Sequence, residues 1–166
     1  AARPQRIVMR HAKAVGRLEA EDDVDRGLTE PGREDAARAG QAMARAGFSA
    51  THAVVSPARR TRETWGVIAA HVGDPPVTDP MVLYHASTEM LERAVLEILD
   101  QGAQTIALVG HNPGVGGFAH GLAASAQSAT DMPRGWPTSS AAAFEIAAEG
   151  NTITASVRLM LFDPKA

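Results

Sequence analysis

Two histidines in this chain follow short apolar runs in the same way: "RIVM" (6–9) leads into Arg10-His11, and "TIALV" (105–109) leads into Gly110-His111-Asn112. A third run, "HAVV" (52–55), opens onto "SPARRTRET", Ser56–Thr64, where Arg59, Arg60 and Arg62 crowd together. A neutral imidazole can serve as nucleophile or general base near neutral pH, and a guanidinium grips phosphate or carboxylate through paired hydrogen bonds. Two histidines and an arginine cluster at one place are therefore equipped for phosphate-ester or phosphoramidate chemistry without a metal. One helix start cannot aim all three arginines inward, so at least one is ordinary surface. His52, His71, His85 and His120 have no comparable placement and read as surface or core residues.

Two competing chemistries fit less well. No H-x-H, H-E-x-x-H or H-x3-D pattern is present, and His111 and His120 stand nine apart, so a metal site finds no support in the spacing. "GVGGFA", Gly114–Ala119, matches a dinucleotide loop formally, but His111-Asn112-Pro113 separate it from the apolar run and the acidic residue about 20 positions on is missing. No lysine followed by serine or threonine completes a phosphate loop either. The glycines instead allow a helix starting near Pro113 to pack tightly beneath the site, with its amide end turned toward an anion.

The elements that must carry these residues alternate. The three apolar runs each fit a buried parallel strand. Between the first two, Thr29 as N-cap, Pro31 in the first turn, and Ala36, Ala37, Gly40 and Met43 at helical spacing predict a helix from about Glu30 to Ala46. Pro57 opens a second helix to about His71, with Trp65, Ile68 and Val72 on its inner face. Ser87 caps a third, whose core stripe is Met90, Leu91, Val95, Ile98 and Leu99, with Gly102 as C-cap. The stretch Ala141–Phe162 reads as two strands joined by a turn at Glu149-Gly150-Asn151. This is an α/β pattern with an antiparallel ending, and in such sheets ligands bind outside the carboxyl ends of the strands, where His11, Ser56–Thr64 and His111 all fall. Val15–Gly27 and Ser125–Ser140 read as surface loops.

Composition narrows the function classes. With 166 residues, 45% of them hydrophobic, the chain suits one globular domain with a substantial core, and neither repeat nor linker divides it. A net charge of −3, from 16 basic and 19 acidic residues mixed along the chain, offers no block for nucleic acid or an anionic membrane. There is no cysteine, hence no disulfide frame and no thiolate chemistry. No apolar run reaches the roughly 18 residues of a membrane span, and the polar start "AARPQR" does not read as a signal peptide. A soluble, cytoplasmic protein is expected.

Taken in order, "IVMRHAKA" (7–14), "LTEPG" (28–32), "VVSPARRTRET" (54–64), "LVGHNPGV" (108–115) and "PTSSAAAFEI" (137–146) resemble the successive motifs of the histidine phosphatase superfamily, in particular its small SixA-type phosphohistidine phosphatase branch. The resemblance spans almost the whole chain, residues 1–166 as one domain. It implies a three-layer, phosphoglycerate-mutase-like α/β fold: a mostly parallel central sheet flanked by helices, with an antiparallel C-terminal strand pair. It also implies no cofactor and no metal. Carried over by position, His11 is the nucleophile, Arg10 and Arg60 bind phosphate, and His111 stabilises charge, while Arg59 and Arg62 have no counterpart. For His11 to attack through one ring nitrogen, the other must donate to a backbone carbonyl.

The chain departs from the family in two places. Ala12 stands where glycine is frequent, and a small residue still fits. Larger members supply a carboxylate that protonates an alcohol leaving group, and "VTDPMVLYHASTEML" (77–91) has no motif for it: Glu89 is a possible acid but also an ordinary first-turn helix residue. An imidazole leaving group needs less acid help than an alkoxide. With little chain to cover the pocket beyond Val15–Gly27 and the loop before Thr138, the expected substrate is a phosphorylated protein carrying phosphohistidine. A general small phosphate ester and a catalytically silent phosphoprotein-binding module remain the alternatives. The acidic run Glu19–Asp23 reads as a solvated loop, with steering of a partner as the alternative, and Arg26, just before "GLT", is a candidate to reach the pocket.

Overall fold

The computed structural model describes residues 3–165. Their strands are β1 (Gln5–Arg10), β2 (His52–Val55), β3 (Val77–Thr78), β4 (Thr105–Gly110), β5 (Ala141–Glu149) and β6 (Thr152–Phe162). Their helices are α1 (Glu30–Arg45), α2 (Arg59–Val72), α3 (Thr88–Asp100) and α4 (Gly114–Ser125). The strands form one sheet in the order β3-β2-β4-β1-β5-β6. The first four run parallel, whereas β5 is antiparallel to β1 and β6 antiparallel to β5.

Alternation along each strand sends successive side chains to opposite faces, and two cores result. Ile7, Met9, Val55 and Val109 face Met43 of α1 and Trp65 and Ile68 of α2. Val8, Val54, Leu108 and Phe144 face Leu91 and Val95 of α3 and Phe118 and Leu122 of α4. Both faces being covered explains why β1, β2 and β4 read as unbroken apolar runs, and the layering is helix, sheet, helix as the motifs imply. Among the described residues no helix is long and apolar enough to cross a membrane.

The local signals operate largely as read. Thr29 accepts a hydrogen bond from the Gly32 amide and Ser87 one from Met90, each satisfying one orphan amide at a helix start. Helix α2 begins at Arg59, two residues past Pro57, because Ala58 is still extended (ψ 147°). Gly102 stands just beyond the Gln101 cap of α3, its φ of +86° letting its amide close onto the Leu99 carbonyl. Met90 is partly exposed, leaving Leu91, Val95 and Ile98 as the buried stripe. The short strand β3 was invisible in the sequence because both of its residues are exposed. Arg6, the first residue of an apparent core strand, is fully buried with its guanidinium 4.4 Å above the Phe118 ring, and burial pushes it down to about 9.

The register decides where the chemistry sits. Arg10 is level with Gly110, and Val55 with Val109, so β1, β2 and β4 end together at one edge. The residues that follow them emerge side by side.

Candidate active site

His11 leaves β1 under tight backbone control. Its amide donates to the Gly110 carbonyl at 3.1 Å and its own carbonyl accepts from Ser139 at 3.0 Å, so the end of β4 on one side and the turn before β5 on the other fix the point from which the ring projects. The ring is 7% exposed, with Nδ1 2.7 Å from the Ala12 carbonyl oxygen. A carbonyl only accepts, so Nδ1 carries the proton and the lone pair lies on Nε2. Burial, opposed by the Ala12 contact and aided by Arg10, Arg60 and Arg26, pushes the imidazole down to about 4. His11 is neutral and directed at the pH where most proteins work.

His111 comes off β4 in the same way. Its ring centroid is 5.4 Å from that of His11, it is 5% exposed, and its Nε2 lies 2.6 Å from Ser56 Oγ. Burial first, then His11, Arg60 and His85, holds it at about 3. Ser56, just beyond β2, thus orients the second histidine, and Thr64 Oγ1 accepts from the Ala12 amide beneath the first. Both partners stand inside the arginine-rich motif, where only the arginines drew notice.

The arginines separate by face. Arg60 is buried, donating through Nη1 to the Asp23 carbonyl at 2.8 Å and through Nη2 to Asp23 Oδ2 at 3.1 Å. Arg59 pairs on the surface with Glu63 at 3.0 Å, and Arg62 is exposed. Arg10 is half-buried, its Nη1 donating to the Trp136 carbonyl at 3.3 Å, and burial followed by the nearby Arg60 lowers its pKa. Arg10, His11, Arg26, Arg60, His85 and His111 line one open cavity of about 670 Å³, mouth included. Five cationic or hydrogen-bonding groups around a neutral imidazole make a pocket suited to an oxyanion, with a ring able to act as nucleophile at its floor.

Asp23 is the residue that sequence reasoning passed over. It stands at the end of the acidic run, in a 3-10 turn over Asp23–Asp25, and reaches in to meet Arg60, Arg26 Nε at 2.9 Å and the Tyr84 hydroxyl. The Tyr84 hydroxyl, ahead of Arg60 and Arg26, holds its carboxyl well below the usual carboxylate range; burial and Asp23 in turn raise the Tyr84 phenol. Nothing in the local pattern separates Asp23 from Asp22 or Asp25, since Arg60 and Tyr84, the partners that tie it to the site, lie 37 and 61 positions away. His85 was likewise assigned no role, yet it lines the cavity.

Two expectations are corrected. Glu89, the possible acid, is an exposed first-turn residue of α3 on a different cleft, beside Glu92, Arg93, Leu96 and Asn151. Its helical position turns it away from the strand ends. Nor are the α4 amides of Val115, Gly116 and Gly117 free for an anion: they donate to the His111 carbonyl, Asn112 Oδ1 and the Pro113 carbonyl. The glycines serve close packing instead, since a Cβ at Gly114 would run into the Ala86 carbonyl and one at Gly117 would lie 2.6 Å from Thr88 Oγ1.

Residues 7–82 match the model of the histidine phosphatase superfamily (branch 1). The matched stretch runs from β1 through α2 and holds Arg10, His11 and Arg60. Among solved structures, the chain is similar to the Agrobacterium tumefaciens protein assigned as the phosphohistidine phosphatase SixA, at 26% identity over 87% of this chain and 93% of that one, with a TM-score of 0.76. It also shares the fold of the Nakamurella multipartitia protein assigned as SixA (22% identity, 100% and 99% covered, TM-score 0.79). A protein histidine phosphatase SixA complexed with tungstate shares it too (19%, 97% and 97%, TM-score 0.77). No curated protein sequence matches the chain.

Proposed function

We propose that the chain acts as one histidine-phosphatase domain, a metal-independent phosphatase that removes the phosphoryl group from phosphohistidine in proteins. The observation that carries the reading is the His11 imidazole, buried yet neutral, with Nδ1 tied to the Ala12 carbonyl and Nε2 left as the nucleophile. Nε2 attacks phosphorus in line, the bond to the leaving nitrogen breaks, and the phosphoryl group rests on His11 until water takes it as inorganic phosphate. Arg10 and Arg60 neutralise the equatorial oxygens, and His111 adds a hydrogen bond as charge builds there. A cavity open to solvent accepts a side chain presented by another protein, and the likeness to SixA structures supports the same substrate class.

Acid-quenching the enzyme during turnover of a phosphohistidine peptide tests this. A covalent phosphoenzyme located at His11 is expected, with turnover persisting in EDTA and His11→Ala losing at least about a thousandfold. A wild type as inert as the mutant on phosphohistidine and p-nitrophenyl phosphate alike overturns it. Faster trapping from small esters than from the peptide replaces the substrate class and leaves the mechanism.

A further inference from the structure

In-line displacement has a directional consequence for the pocket. The nucleophile enters from one side of phosphorus and the leaving group departs from the other, so a proton donor to that group must stand away from His11, toward the mouth. The imidazoles are graded along that direction. His11 is 7% exposed and His111 5%; the His111 ring is 5.4 Å from His11 and 5.5 Å from His85; and the His85 side chain is 60% exposed. The two buried rings form the floor and the third stands at the opening of the same cavity.

His85 is also held there. Its backbone is left-handed, φ 60°, a conformation that non-glycine residues adopt only when the surroundings impose it. It follows the 3-10 turn Met81–Leu83 and stands next to Ala86, whose carbonyl abuts the glycine that starts α4. The Tyr84 ring stacks on it at 4.1 Å, and its Nε2 lies 3.8 Å from Asp23 Oδ2. The charged and titratable groups facing it are thus the Asp23 carboxylate, the Tyr84 phenol and His111, with Arg60 and Arg26 behind Asp23. Its exposure lets the ring recover a proton from solvent after each turnover.

We infer that His85 is the proton donor to the leaving group, the catalytic acid for which the sequence offered only Glu89; the assignment rests on the phosphatase reading above. As the His11 Nε2–phosphorus bond forms, the bond from phosphorus to the leaving oxygen or nitrogen breaks. Its electron pair stays on that atom, which takes the proton of the His85 imidazolium and departs neutral. An alkoxide or phenolate need not be released, and the imidazole of phosphohistidine leaves in its stable neutral form.

The test is kcat/KM for a series of aryl phosphates from p-nitrophenyl to unsubstituted phenyl phosphate, in wild type, His85→Gln and His85→Asn. This ratio reports phosphoenzyme formation and is blind to the later hydrolysis. Asparagine tolerates the left-handed backbone, so a shared result from both variants is not a folding defect, and inhibition by inorganic phosphate checks the pocket. The expected loss grows with the basicity of the leaving group, reaching about a hundredfold or more on phenyl phosphate and far less on p-nitrophenyl phosphate. A loss equal across the series, or none, overturns the role of His85 while leaving the phosphatase standing. Inertness of the wild type toward every ester and phosphohistidine overturns both.

Discussion

His11 and His111 are both buried and neutral, at a cost in stability that depends on pH. Both titrate far below an ordinary imidazole, at about 4 and about 3, because burial penalises the charged form. The unfolded chain binds protons at these positions near pH 6.5 while the folded one does not, so acid favours unfolding. Stability is intact above about pH 6.5 and is lost from there down to about 4 for His11 and about 3 for His111, with a limiting slope of about 1.4 kcal/mol per pH unit for each. Urea unfolding between pH 7 and 5 should show this decline, and His111→Gln should remove about half of it. Imidazole NMR signals of His11 and His111 that titrate near 6.5 would contradict it.

At the scale of elements, the segment from Val15 to Gly27 is a strap and not the free surface loop its composition suggests. One carboxylate, Asp23, gathers Arg60 of α2, Arg26 of the segment itself and Tyr84 from the turn before α3. The strap is otherwise poor in buried apolar contacts, with Leu18 fully exposed, so its order depends on that polar knot. Asp23→Ala is expected to raise amide exchange across the segment and speed tryptic cleavage after Arg17 by about tenfold or more. Unchanged exchange and cleavage would show that the segment is held by something else.

Across the whole molecule, the pocket exists only while three crossovers deliver their ends to one sheet edge. The contact between the start of α4 and the Ala86 carbonyl joins the segment carrying His111 to the one carrying His85. Gly114→Ala places a methyl against backbone that cannot swing aside as a side chain could. An overpacking loss of about 1–3 kcal/mol is expected, measurable by urea denaturation. Gly66→Ala, at an exposed helical position with nothing near its Cβ, should be neutral or slightly stabilising because alanine is the better helix former. Equal stability of the two variants would remove the packing explanation for the glycines after His111.

The sequence by itself determined the elements that read from local rules. Apolar runs with two covered faces gave β1, β2 and β4, and capping residues gave the starts of α1 and α3. Equivalent strand-end placement then singled out His11 and His111, because a residue just past a parallel strand has its location set by the strand. Arg60 was legible among its neighbours through the motif it completes, since helical geometry alone requires only that the three arginines diverge. What only the tertiary structure decided was the company these residues keep. Ser56 against His111, Asp23 against Arg60, and His85 at the mouth are contacts between segments 26 to 62 residues apart. A charged or polar side chain in a loop carries no periodic signal of its destination. The same holds for Glu89, whose position in the chain suited an acid while the turn of α3 carried it to another cleft. Local periodicity places backbone, and long-range packing chooses which side chains meet.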